Sequence, residues 1–234
     1  MQIKSLLVTL VAGSLAFASC NSIKSSKIEL KTLADSAAYA IGTDIGANIT
    51  KNLPAAPGGK ELNQKLILAA FTDALNGKAS QIPADKVPAV TQSYFMKMQM
   101  IEGKKNVESG KKFLDENAKR SGVKTTASGL QYEIMKDATG PKPLATDSVK
   151  VHYHGTTIEG KVFDSSVDRK EPVTFAVNAV IPGWTEALQL MSVGSKWKIF
   201  VPAALAYGER GAGADIKPNS ALVFEIELLE IKKK

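Results

Sequence analysis

The chain of 234 residues has one cysteine, Cys20, and two histidines, His152 and His154. A lone thiol closes no internal disulfide. Two histidines with no second cysteine fall short of the usual metal donor sets, so no metal is expected. No Gly-x-Ser-x-Gly elbow is present, and Ser165 and Ser166 follow Asp164 while the two histidines belong to the wet face of another strand, so covalent catalysis is not expected. The glycine-rich stretch Gly208 to Gly213 has no Lys-Ser/Thr pair after it and reads as a surface turn, not a phosphate loop. Beyond the first twenty residues no apolar run approaches the length that spans a bilayer. Aromatic residues are only 6% of the chain, so the places where they gather are informative.

Charge is uneven. Residues 20–124 hold 16 basic and 10 acidic side chains, whereas residues 125–234 hold 13 of each. A basic region can favour polyanions, but no aromatic interleaving or nucleic-acid motif accompanies these lysines. They read as a solvated helix face, and no nucleic acid is expected as a partner.

The N-terminus has the form of an export signal over residues 1–19. Lys4 gives a positive end, Leu6 to Phe17 a short apolar run, and Ala16-Phe17-Ala18-Ser19 a mostly small stretch. Cys20 follows directly. This placement resembles the lipobox of bacterial lipoproteins, with Phe17 where an aliphatic residue is usual. The resemblance implies lipid attachment at Cys20, a membrane anchor, and residues 20–31 as a tether. An ordinary signal with an incidental cysteine is the alternative.

Three helices are expected next. Thr32 and Asp35 have capping-box spacing, and Ala38, Ile41, Ile45, Ile49 and Leu53 recur at threes and fours. Gly42 and Gly46 on that helix suggest close contact with another helix. A second helix runs from about Leu62 to Leu75 and stops at Asn76-Gly77. A third starts near Asp85 and continues to about Arg120. Its ends carry apolar stripes and its middle is rich in Lys and Glu, the pattern of an exposed connection between two packed ends.

After Gly129 the period changes to two. Leu130-Tyr132-Ile134, Val149-Val151-Tyr153, Val173-Phe175-Val177, Trp197-Ile199-Val201 and Leu222-Phe224-Ile226-Leu228 each alternate with polar residues. One wet face implies an antiparallel sheet, and the histidines belong to the wet set. Trp184 to Met191 interrupts with a short helical pattern. The class is therefore α+β: an all-helical N-terminal region with a long linker helix, then a curved antiparallel sheet wrapped on one short helix.

The aromatics gather at turns and strand ends of this second half. Tyr153, Phe163, Trp184, Tyr207 and Phe224, with one acid at Asp164, suit an apolar pocket with a few polar handles. Each also reads singly as core, and Asp164 as a turn cap that holds Arg169.

These residues resemble the FKBP-type peptidyl-prolyl cis-trans isomerases over Gly129 to Ile231. Phe163-Asp164-Ser165-Ser166, Val180-Ile181, Gly183-Trp184, Ala206-Tyr207-Gly208 and Leu222-Val223-Phe224 fall in family order. Asp35 to Gly42 and Gly122 to Tyr132 further resemble the exported Mip/FkpA-type members with an N-terminal dimerisation region. The resemblance implies an antiparallel half-barrel and a catalytic pocket of Tyr153, Phe163, Asp164, Ile181, Trp184, Tyr207 and Phe224. It adds Val173, Val180 and Ile216 as substrate-binding positions. It implies isomerisation of proline-containing polypeptides without cofactor or metal, sensitivity to macrolide inhibitors, and a homodimer. It divides the chain into a dimerisation region 32–84, a connecting helix 85–121 and an isomerase domain 122–234. A lipid-anchored protein of the bacterial envelope, in the outer membrane facing the periplasm, is the implied location. A non-catalytic holdase for unfolded exported chains is the rival function.

Overall fold

A computed structural model describes residues 28–232. The signal segment, Cys20 and most of the tether lie outside the described residues. The chain divides into two compact units, one ending at Ala47 and the other formed by Asn48–Lys234. The division falls inside the first helix.

Helix α1 spans Leu33–Asn52. Its start is the expected capping box: Asp35 N donates to Thr32 Oγ1 at 3.0 Å, and Thr32 N to Asp35 Oδ2 at 2.9 Å. Hydrogen bonding to the Asp35 carboxyl, from the Thr32 hydroxyl most of all and then from the Thr32 and Lys31 N–H groups, lowers its pKa. Among the described residues, a methyl group on Gly42 would meet nothing within 4 Å.

In the second unit, α2 spans Gln64–Leu75, capped by the Asn63 side chain, which accepts from Lys65 N at 3.0 Å. Gly77, at φ 67°, ends the run where a side chain would be strained. Helix α3 spans Val87–Asn117. Its polar middle departs from expectation: Gly103 and Gly110 are buried. Glycine offers no hydrophobic signal, so a pattern of apolar residues passes over this contact.

The sheet has seven antiparallel strands rather than the five that alternation suggests. These are β1 (Val123–Thr125), β2 (Gln131–Lys136), β3 (Ser148–Thr157), β4 (Val162–Ser165), β5 (Val173–Ala176), β6 (Lys196–Val201) and β7 (Leu222–Lys232). The order is β1-β2-β6-β7-β3-β4, and β5 also pairs with β3. Strands β4 and β5 share one edge of β3. Asp164 stands opposite Gly155, and Val173 opposite Val151. The chain between them, 166–172, turns beside that edge.

Helix α4 spans Pro182–Leu190 and buries Trp184, Ala187 and Leu188. They meet one face of the sheet, where Val149, Val151 and Tyr153 of β3 join Ile199 of β6 and Leu222, Phe224, Ile226 and Leu228 of β7. Alternation puts these on one side of the pleat. The other face is covered at Phe200, whose ring lies 6.0 Å from Phe113 of α3. Buried Asn117 closes that contact: its Nδ2 donates to Gln131 Oε1 at 2.8 Å, and Gln131 Nε2 donates to the Leu114 carbonyl at 2.9 Å. Each buried amide thus has a partner, which burial requires.

Candidate active site

A cavity of about 420 Å³ opens between α4 and the ends of β3, β4, β5 and β7. Trp184 is its hub. The rings of Tyr153, Phe175 and Phe224 stand edge-on to it at 5.4, 5.7 and 5.3 Å, an arrangement the aromatic quadrupole favours. Phe163 continues the wall, edge-on to Phe224 at 5.5 Å. Val180, Ile181 and Tyr207 complete the rim with Asp164.

Local sequence explains the positions. Pro182 opens α4 with its fixed φ, so Trp184 enters the helix at the cavity. Gly183 lets α4 approach β6: a methyl group there would sit 2.6 Å from Val201 Cγ1. Gly155 does the same for the wall, since a methyl group would sit 2.8 Å from the Phe163 ring and 3.0 Å from the Phe224 ring.

Asp164 is bound on both oxygens. Oδ2 accepts from the Tyr153 hydroxyl and Oδ1 from Arg169 Nη1, while Arg169 Nη2 donates to the Tyr153 hydroxyl at 3.0 Å. The guanidinium also lies 5.9 Å from the Tyr153 ring centre. Burial raises the Asp164 pKa, but the Tyr153 hydroxyl and Arg169 outweigh it, and the carboxyl is held below its ordinary value. Arg169 is raised in turn, chiefly by its bond to Asp164. Burial, then Asp164, raises Tyr153, and burial followed by the Asp164 charge raises Tyr207. Both phenols therefore keep their protons at neutral pH.

These directions predict a pH profile. A carboxyl with a depressed folded pKa stabilises the fold above its unfolded value and loses that stabilisation as pH falls through the folded value. Catalytic efficiency should hold through neutral pH and fall only on the acid side of the ordinary carboxyl range, about pH 4, as Asp164 takes a proton. An Asp164→Asn variant, followed by the same titration, should show a shallower acid limb. An inflection in its wild-type parent near neutrality would contradict the assignment.

Ser165 and Ser166 are structural. Tyr153 N donates to Ser166 Oγ at 2.8 Å, and Asp168 N to Ser165 Oγ at 3.1 Å. His152 Nδ1 lies 3.1 Å from Ser166 Oγ and His154 Nδ1 lies 3.0 Å from Ser165 Oγ. The histidines face away from the core, as alternation implies, but they lie half-buried under the 165–168 turn and, against expectation, within hydrogen-bond distance of both serines. No group of three His, Cys, Asp or Glu side chains suited to a metal occurs among the described residues.

Eight of the ten pocket positions read from sequence come together here: Tyr153, Phe163, Asp164, Val180, Ile181, Trp184, Tyr207 and Phe224. Val173 and Ile216 do not line the cavity. Val173 packs against the core, and Phe175, two residues along the same strand face, carries the ring that reaches Trp184. Ile216 is itself buried core, held by paired backbone bonds with Ala212 at 2.8 and 3.1 Å. Phe175 was missed although its alternation with Val173 marks the inward face. Ala179 also lines the cavity, and no sequence signal points to it.

The chain is similar to known proteins over most of its length. Residues 140–229 match the family model for FKBP-type peptidyl-prolyl cis-trans isomerase, and residues 34–134 match that for the domain amino terminal to it. An FKBP-type peptidyl-prolyl cis-trans isomerase FkpA of Aeromonas hydrophila is 47% identical over 88% of this chain and 80% of its own. The outer membrane protein MIP of Legionella longbeachae is 39% identical over 87% of this chain and 88% of its own. The crystal structure of FkpA from Escherichia coli superposes with a TM-score of 0.65 at 34% identity, covering 87% of this chain and 99% of that one. The chain belongs to the FKBP-type peptidyl-prolyl cis-trans isomerase family and has the catalytic domain of that enzyme class.

Proposed function

We propose that the Trp184 cavity is where the prolyl bond turns, and that it works without proton transfer or covalent chemistry. Planarity of the peptide bond puts about 18–20 kcal/mol between cis and trans. Halfway through rotation the amide loses conjugation and its carbonyl loses charge separation. A dry aromatic cavity disfavours the polar planar form more than the twisted one. Removing about 5 kcal/mol would speed rotation several thousandfold.

The observation that carries this reading is the ring of Tyr153, Phe175 and Phe224 around Trp184 in a cavity of about 420 Å³. In it the prolyl ring lies on Trp184. The Ile181 N–H and the Tyr207 hydroxyl donate to substrate carbonyls. Asp164, charged and fixed by Arg169, faces the carbonyl of the turning bond and penalises its negative oxygen while the amide is planar.

The helical region serves assembly. Leu33 and Leu75 are 88% and 74% exposed, and Tyr39, Ile41 and Leu66 are exposed with them. So much bare apolar surface on helices is the mark of an interface, and a second copy of the chain is the occupant, giving a homodimer. The signal segment and Cys20 point to an exported protein held to the envelope by lipid, assisting the folding of exported chains that contain proline.

The deciding experiment uses the full chain on a substrate whose refolding is limited by proline isomerisation, with aggregation followed in parallel. A macrolide should abolish the acceleration of refolding and leave aggregation suppression in place. Acceleration that never exceeds buffer while aggregation is still suppressed would overturn the catalytic reading in favour of a holdase, and acceleration that persists with the macrolide bound would place catalysis outside the Trp184 cavity.

A further inference from the structure

The part of α3 that looked bare in the sequence is its docking face. Gly103, Asn106, Gly110 and Asn117 recur at three, four and seven residues and share one side of the helix. A methyl group at Gly103 would stand 3.2 Å from Asn219 Nδ2, and one at Gly110 would stand 3.2 Å from Ala221 Cβ. Between them Asn106 Nδ2 donates to the Pro218 carbonyl at 2.8 Å. Glycine is poorly suited to a helix interior, so two at this spacing mark a backbone approach that larger residues would block.

The segment seated on α3 closes the loop that begins at Tyr207. Asn219, held at a left-handed φ of 58°, donates its N–H to the Gly208 carbonyl at 2.8 Å. Gly208 follows Tyr207, which lines the cavity. Two further ties fix the same loop: Lys217 Nζ donates to the Ala55 carbonyl at 3.1 Å, and Lys161 Nζ donates to Asp215 Oδ1 at 2.6 Å.

We propose that α3 is a positioning element for the isomerase cavity. Its Gly103, Asn106 and Gly110 face seats residues 218–221, and the Asn219–Gly208 bond carries that placement to Tyr207. Asn106 and Gly110 are therefore positioning residues for substrate recognition, acting at a distance from the reacting bond. The inference rests on reading the Trp184 cavity as the prolyl site.

The test compares full-length Gly110→Val and Asn106→Ala with wild type. Gly110→Val pushes 218–221 off the helix, whereas Asn106→Ala removes one hydrogen bond and leaves the fold intact. Steady-state kinetics on a prolyl tetrapeptide should show KM raised about three- to tenfold in Gly110→Val, with kcat less affected. Asn106→Ala should shift KM the same way by a smaller factor. NMR signals of the Gly208 amide and the Tyr207 ring should move in both. Unchanged KM and unchanged Gly208 and Tyr207 signals in Asn106→Ala would overturn the proposal, even if Gly110→Val did not fold. A lower melting temperature with KM and both signals unmoved would equally overturn it, because a purely structural contact behaves that way. Phe163→Ala, assayed alongside, tests the cavity without touching α3, so failure of the site and failure of the coupling are separable.

Discussion

Replacing Phe163 and Asp164 together by alanine lowers kcat/KM on a prolyl peptide by about a hundredfold, the equivalent of about 2.7 kcal/mol of transition-state stabilisation. Phe163 forms wall with Phe224, and Asp164 fixes the Tyr153 hydroxyl with Arg169. Without the ring, water reaches the twisted amide. Without the carboxylate, the planar carbonyl meets less opposition and Tyr153 loses its acceptor. The fold should survive, because both side chains are only partly buried and the fully buried residues of β3, β7 and α4 are left in place. Thermal unfolding checks this: the transition should stay cooperative, with a modest drop in midpoint. Wild-type kcat/KM in a folded double variant would remove these residues from the mechanism.

Gly155→Val is expected to damage the site from behind. The position faces the Phe163 and Phe224 rings, which would lie 2.8 and 3.0 Å from an added methyl group. Valine adds two further methyls. Overpacking of this kind costs about 1–3 kcal/mol, and the strain falls on the aromatic wall, since β3 is fixed between β7 on one side and β4 and β5 on the other. Activity should fall at least about tenfold, with loss of melting temperature of about 4–8 °C for each kcal/mol in a domain near a hundred residues. Gly155→Ala should show the same direction at smaller size. Unchanged activity in both would mean that the wall yields freely and that its rigidity has no part in catalysis.

What the sequence disclosed depends on the kind of contact. The Thr32–Asp35 box is read from spacing because both partners lie in one turn. Strands β2, β3, β5, β6 and β7 announce themselves by period two. Strands β1 and β4 do not: Val123–Thr125 has three residues, and Val162–Ser165 ends in a buried serine held by the turn after it. The pocket aromatics were legible as a set through family order, yet alternation fixes a face and not a depth. Val173 and Phe175 face the same way, and only the packing of α4 decides that the second ring meets Trp184. Gly155, Gly103 and Gly110 act through absent atoms, and hydropathy has no measure for a vacancy that a neighbour fills. Alternation correctly turns His152 and His154 away from the core, but it does not reveal the 165–168 turn that half-covers them.

The most direct measurement is NMR exchange between the cis and trans forms of a proline peptide at neutral pH, with catalytic amounts of the full chain. The account predicts exchange accelerated by orders of magnitude and suppressed by a ligand that fills the Trp184 cavity. Exchange as slow as in buffer, with the protein folded and soluble, would contradict it.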